Sequence, residues 1–136
     1  MIAPRTLAPL LCTIAAGCMP QVRPAAVARP DPIVRQLVSL AASRIQRCYQ
    51  APRLPRASRL IETTLAVRYA PDGTLATLPE VLVQRGVTDG NRGDAERMAE
   101  AARAAVVRCT PLNLPAEHYH DGWDMFQVTF SPKAVA

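Results

Sequence analysis

Two Arg-Cys dipeptides, at residues 47–48 and 108–109, constrain the fold most strongly, because each ends a stretch with helical periodicity. The chain has four cysteines, and the other two lie before residue 20. In an exported chain, the even pair that remains indicates a disulfide. We therefore expect Cys48 and Cys109 to pair and to join two helices. A redox-active pair is disfavoured, because no Cys-x-x-Cys spacing occurs.

The first 17 residues have the pattern of a secretory signal: Arg5 precedes a short apolar run that ends in small side chains. The run is too short to cross a bilayer, which takes ~20 apolar residues as a helix. We predict a signal peptide over residues 1–17. Lipoprotein-type cleavage, with Cys18 lipidated, is favoured over ordinary cleavage, although Ala15 stands where that motif prefers Leu. Retention of the run as a core segment is the third alternative.

Residues 18–31 are rich in proline and alanine, which predicts an extended tether without a core of its own. A domain over residues 32–133 follows. Asp31-Pro32 is a favourable helix start, because Asp caps free N–H groups and Pro is tolerated at the first helical position. The first predicted helix buries six residues on one face: Ile33, Leu37, Leu40, Ala41, Ile45 and Cys48.

Two strands are predicted between the helices. Alternation over residues 60–69 predicts the central strand, and Pro-Asp-Gly at 71–73 predicts a turn. The returning strand, 74–84, contains Pro79, which favours a bulge or an edge position. A second helix buries Ala95, Met98, Ala102, Val106 and Cys109, and Asn91 or Asp89 is expected to cap its start. With a last strand at 123–130, these elements predict an α+β fold in which two main helices cover one face of a three-stranded antiparallel sheet.

The last strand supplies the candidate binding surface. Its alternation predicts Phe126, Val128 and Phe130 facing the core. Four residues are predicted on the opposite face: Trp123, Met125, Gln127 and Thr129. A mixed apolar and polar edge of this kind suits the addition of a partner strand. The alternative is that Trp123 packs on the loop at 111–119, and the sequence does not decide between them.

Other chemistry has weaker support. His118, His120 and Asp121 are potential metal ligands, but a site needs three or four that converge, so a polar loop is favoured. The arginine-rich loop at 49–59 permits docking to an anionic partner, although a solvated loop is favoured. It has no interleaved aromatic platform, so we expect no nucleic acid partner. Without a nucleophile elbow or a phosphate-binding loop, we predict no enzyme and no cofactor.

The predicted elements carry an ordered set of motifs: Arg-Cys-Tyr at 47–49, Pro-Asp-Gly at 71–73, Arg-Cys-Thr-Pro at 108–111, Leu114-Pro115, Tyr119, Trp123 and Phe-Ser-Pro at 130–132. With the order of elements, this set resembles the C-terminal domain of TolA, within the TolA/TonB energy-transducer class, over residues 33–133. It implies a periplasmic domain that binds Tol-Pal-type envelope proteins, often by adding a strand to its sheet edge. TolA normally also has a membrane-spanning helix and a long helical stalk. Neither pattern occurs here, so we expect a short exported copy of the end domain.

The sequence thus predicts a non-enzymatic, periplasmic protein-interaction domain. One alternative is a structural envelope lipoprotein anchored through Cys18. A less favoured alternative is a small metal-dependent enzyme that uses His118, His120 and Asp121.

Overall fold

The structure, a computed structural model, describes residues 29–132. The predicted signal peptide, Cys18 and most of the tether lie outside the described residues. Within them the order is α1 (Pro32–Cys48), β1 (Glu62–Arg68), β2 (Glu80–Arg85), α2 (Arg92–Arg108) and β3 (Met125–Phe130). None of the helices in this range is long and apolar enough to cross a membrane.

The strands form one antiparallel sheet in the order β2-β1-β3, which confirms the predicted α+β fold and the central position of β1. The inward side chains of β1 and its flanks are 0–1% exposed, as the alternation predicted: Ile61, Thr63, Leu65, Val67 and Tyr69. A bulge places Leu82 as an extra residue in β2. β2 is an edge strand, as predicted. It begins only at Glu80, however, so Pro79 lies before the strand and not within it, and the bulge falls three residues after the proline.

α1 begins where the sequence predicted, because the Asp31 carboxylate accepts a hydrogen bond from the Ile33 N–H at 2.8 Å. Ala41 and Ile45 are fully buried against the sheet. Ile33 and Leu40, however, are 49% and 43% exposed, so this part of the predicted face was wrong. Successive helical residues are ~100° apart, and Leu40 consequently lies on the flank of the helix next to Ala41.

α2 buries the predicted face: Ala95, Met98, Ala102 and Val106 are at most 4% exposed. Asn91 takes the N-cap position, but its side chain does not bond to the helix. Its amide instead accepts from the Thr88 N–H and donates to the Gly86 carbonyl. Asn91 therefore fixes the turn between β2 and α2 as well as marking where the helix starts.

The disulfide between Cys48 and Cys109 is confirmed, with the two Cα atoms 5.9 Å apart. It joins the C-terminal ends of α1 and α2, where free carbonyls concentrate negative charge. The Arg108 guanidinium donates to the Cys48 carbonyl at 3.2 Å. The arginine beside Cys109 therefore offsets negative charge at the end of the other helix, which gives the Arg108-Cys109 dipeptide a physical reason.

The hairpin turn holds the segment that follows α2. Gly73 has φ +84°, and a Cβ there would collide with the carbonyl of Leu112. The Leu112 N–H donates to the Gly73 carbonyl at 2.8 Å. Both the left-handed conformation and this close approach require glycine. The turn therefore guides the chain from α2 towards β3.

Candidate functional site: the edge of β3

The hydrogen-bond pattern of the sheet shows which backbone groups of β3 face outward. The Tyr69 N–H donates to the Asp124 carbonyl at 2.9 Å, one step before β3 begins. In an antiparallel ladder, hydrogen-bonded and non-hydrogen-bonded pairs alternate. Counting along the register gives the non-hydrogen-bonded positions of β3: Met125, Gln127 and Thr129. Their N–H and C=O groups consequently point away from β1, towards the free edge.

The side chains of β3 alternate as the sequence predicted. Phe126, Val128 and Phe130 are buried, whereas Met125, Gln127 and Thr129 are exposed. Met125 is 52% exposed, a large fraction for an apolar side chain in a regular strand. The candidate surface thus combines outward backbone groups with an accessible thioether, an amide and a hydroxyl.

Trp123 does not belong to this surface. It is 0% exposed, and its indole N–H donates to the Pro115 carbonyl at 2.8 Å. β3 begins only at Met125, because the chain turns sharply at Asp121, where φ is +55°. The prediction that Trp123 shares the outward face was therefore wrong. The alternative, packing on the preceding loop, is the one observed, and Tyr119 lies edge-on to the indole at 4.9 Å.

Gln46 of α1, which is not on the helix face predicted to be buried, also contacts this edge. Its side-chain Nε2 donates to the Thr129 carbonyl at 2.8 Å. Helical periodicity identified Gln46 only as a polar residue off the core face. No local signal marks it, because the contact joins residues far apart in the chain and depends on how α1 lies over the sheet.

The outer face of the sheet extends the surface beyond β3. The hydroxyls of Thr64 and Thr129 lie 2.9 Å apart across the strand pair. On β2, Leu82 and Val83 are 47% and 43% exposed. Since α1 and α2 pack on the opposite face, apolar side chains of both edge strands remain accessible.

Charge is unevenly distributed around this surface. β3 itself, Met-Phe-Gln-Val-Thr-Phe, has no ionisable residue. Arg68 is exposed on β1 opposite Met125. Without fixed charges along β3, an uncharged partner strand meets no electrostatic penalty at its edge.

The histidine cluster has no metal-site geometry. Among residues 29–132, no three His, Cys, Asp or Glu side chains come together in a group that could hold a metal ion. His118 is half-buried, whereas His120 and Asp121 are exposed. The three residues lie in the turns that position Trp123.

Two arginines outside the basic loop make contacts that hold neighbouring segments of the fold. The Arg44 guanidinium donates to the Asn113 carbonyl, and that of Arg97 donates to the Arg53 carbonyl, both at 3.2 Å. Ser58, inside the loop, is buried and donates to the Asp94 carboxylate at 2.6 Å. This part of the loop is therefore held against α2.

The fold and edge together define an α+β domain with one regular, uncharged edge strand. No protein-family model matches the chain, and neither the curated proteins nor the solved structures include a significant match.

Proposed function

We propose that the chain is a non-enzymatic, periplasmic protein-interaction domain that binds cell-envelope proteins by adding a partner strand to the edge of β3. The resemblance to the TolA end domain supports Tol-Pal-type proteins as the partner class. The edge supports the binding mode, because added strands gain affinity from main-chain hydrogen bonds and specificity from alternate side chains.

One observation carries this proposal. β3 offers outward N–H and C=O groups at Met125 and Gln127 with no bulge, proline or charge within the strand. Such edges pair readily with other chains, and proteins usually protect them. An open, regular edge in a small domain is therefore best explained by a partner that occupies it.

The test is photo-crosslinking in cells that export the full-length chain. A photoreactive residue at Met125 is expected to capture a discrete envelope protein. Gln127→Pro is expected to abolish the crosslink, because it removes an outward N–H without removing a bond to β1. The matched control is Val81→Pro: Val81 faces Leu65, whose backbone groups point towards β3, so its N–H also faces outward, but on the β2 edge.

A crosslink that is lost with Gln127→Pro and retained with Val81→Pro supports the proposal. Absence of a discrete product from Met125, or a product that survives Gln127→Pro, contradicts it. The intact mass of the same exported chain tests the proposed compartment. Loss of residues 1–17 with an added lipid on Cys18 indicates a membrane-anchored form, and an unprocessed mass contradicts export.

A further inference from the structure

The edge of β3 is not open along its whole length. Gln46 reaches across from α1, and its Nε2 donates to the Thr129 carbonyl at 2.8 Å. Thr129 is one of the three residues whose backbone groups face outward. The helix side chain thus occupies the acceptor that the N–H of an added strand would otherwise use.

The amide of Gln46 is buried on its oxygen side, whereas its hydrogen bond to Thr129 is exposed. Its Oε1 is buried, and within residues 29–132 it has no hydrogen-bond partner. The side-chain orientation follows from chemistry, because only the NH₂ group of the amide can donate to a carbonyl. With Oε1 on the buried side, Nε2 is the amide atom that faces the Thr129 carbonyl.

The side of α1 that carries Gln46 has small side chains over the two preceding turns. Ser39 and Ala42 precede it at helical spacing, so all three residues lie on one side of α1. Both preceding side chains are small. Arg35, one turn before Ser39, is the next large side chain on that side of the helix, and Gln46 closes the far end.

We propose that Gln46 caps the β3 edge and sets the length and register of strand addition, an inference that rests on the proposed function for its partner. The cap leaves Met125 and Gln127 as the open positions, two residues apart. The site then accepts a short, extended, uncharged segment that pairs over ~3–5 residues. An apolar side chain beside Met125 completes the match.

The test measures self-association of the full chain by analytical ultracentrifugation up to millimolar concentration, with a second copy of the chain as the probe strand. Gln46→Ala frees the Thr129 carbonyl and adds a third open position. We expect at least about a fivefold increase in the association constant, the equivalent of roughly one net hydrogen bond. Gln50→Ala, an exposed glutamine just after α1, is the matched control and is expected to have no effect.

The gain must also come from the edge. Adding Gln127→Pro to Gln46→Ala is expected to remove it, and urea unfolding checks that each variant remains folded. If Gln46→Ala associates no more strongly than the unaltered chain, the inference is wrong. A gain that survives Gln127→Pro contradicts it as well. Neither result depends on the envelope partner, so this test and the crosslinking test can fail separately.

Discussion

β2 and β3 flank the same central strand, yet they differ in charge and in the regularity of their pairing with it. β2 begins with Glu80 and ends with Arg85, follows Pro79 directly and carries the bulge at Leu82. β3 has an unbroken register with β1 over six residues and no charge. Proline, bulges and charges are the features by which proteins discourage pairing at a sheet edge. By these criteria β2 is a protected edge and β3 is an open one.

The domain can be divided into a β3 half, which contains α1 and β3, and a β2 half, which contains α2 and β2. The two halves also differ in the side chains that pack beneath the sheet. The chain has one tryptophan, three tyrosines and two phenylalanines, and these form three pairs around β3: Tyr49 with Phe130, Tyr69 with Phe126, and Tyr119 with Trp123. The α2 side is packed mainly with small side chains such as Ala99, Ala102 and Ala105. Aromatic pairs contribute ~0.5–1.5 kcal/mol each beyond their buried area. The open edge thus belongs to the half that contains the aromatic pairs.

The largest effect on stability is expected from removing the disulfide that joins the two halves. Replacing Cys48 and Cys109 by serine removes the link from α1 to α2. The sequence separation is 61 residues, and the chain-entropy model then predicts a loss of about 4 kcal/mol in the free energy of unfolding. Urea unfolding, followed by far-UV circular dichroism and by tryptophan fluorescence, measures it.

The two probes also show whether the halves unfold together. Trp123 reports on the β3 half, whereas circular dichroism reports on both helices. If the halves form one cooperative unit, the midpoints coincide in the double variant. Midpoints that differ would show that the two halves unfold as separate units. A loss below 1 kcal/mol in the free energy of unfolding would contradict the stabilising role of the disulfide.

The next prediction compares Trp123, which is buried before β3, with Met125, which is exposed on β3. Trp123→Phe removes buried volume and the indole hydrogen bond to the Pro115 carbonyl, which keeps only its longer bond from the His118 N–H at 3.3 Å. We therefore expect a loss of about 2 kcal/mol in stability. Met125→Ala, two residues later, is exposed and is expected to change stability by less than about 0.5 kcal/mol. Thermal or urea unfolding of the two variants checks this. Equal losses would mean that Met125 is part of the core and not of the binding surface.

Met125 and Trp123 show which side-chain orientations the sequence predicts correctly and which it does not. Alternation over β3 predicts the facing of Met125 correctly, because period two holds throughout a regular strand. The same period, extended back to Trp123, fails because the chain leaves the strand at the turn around Asp121. A left-handed aspartate has no strong local signal, unlike the Pro-Asp-Gly turn. The disulfide could be predicted because compartment and cysteine count are global properties, whereas Gln46 could not, since only tertiary packing brings it to Thr129.

The smallest effects are expected from removing the hydroxyls of two tyrosines in the β3 half, Tyr119 and Tyr69. The Tyr119 hydroxyl donates to the Tyr69 carbonyl at 2.7 Å. The Tyr69 hydroxyl is buried, and it has no hydrogen-bond partner within the described part of the chain. Tyr119→Phe is therefore expected to lower the free energy of unfolding by about 1 kcal/mol. Tyr69→Phe, which removes an unpaired polar group, is expected to leave it unchanged or to raise it by up to about 1 kcal/mol.

The pH dependence of stability gives a second test of the buried Tyr69 hydroxyl. Burial raises the pKa of Tyr69 above its ordinary value, because desolvation disfavours the phenolate. The unfolded chain then loses this proton near pH 10 while the folded chain keeps it, so the contribution of Tyr69 to stability is constant below that pH and falls as the pH rises above it. Burial also raises the pKa of Tyr49, to about 12, which adds to the fall in the same direction. Tyr69→Phe should reduce the alkaline loss measured by urea unfolding, and an unchanged slope above pH 10 would show that its hydroxyl is solvated and that the β3 half is less tightly packed than inferred.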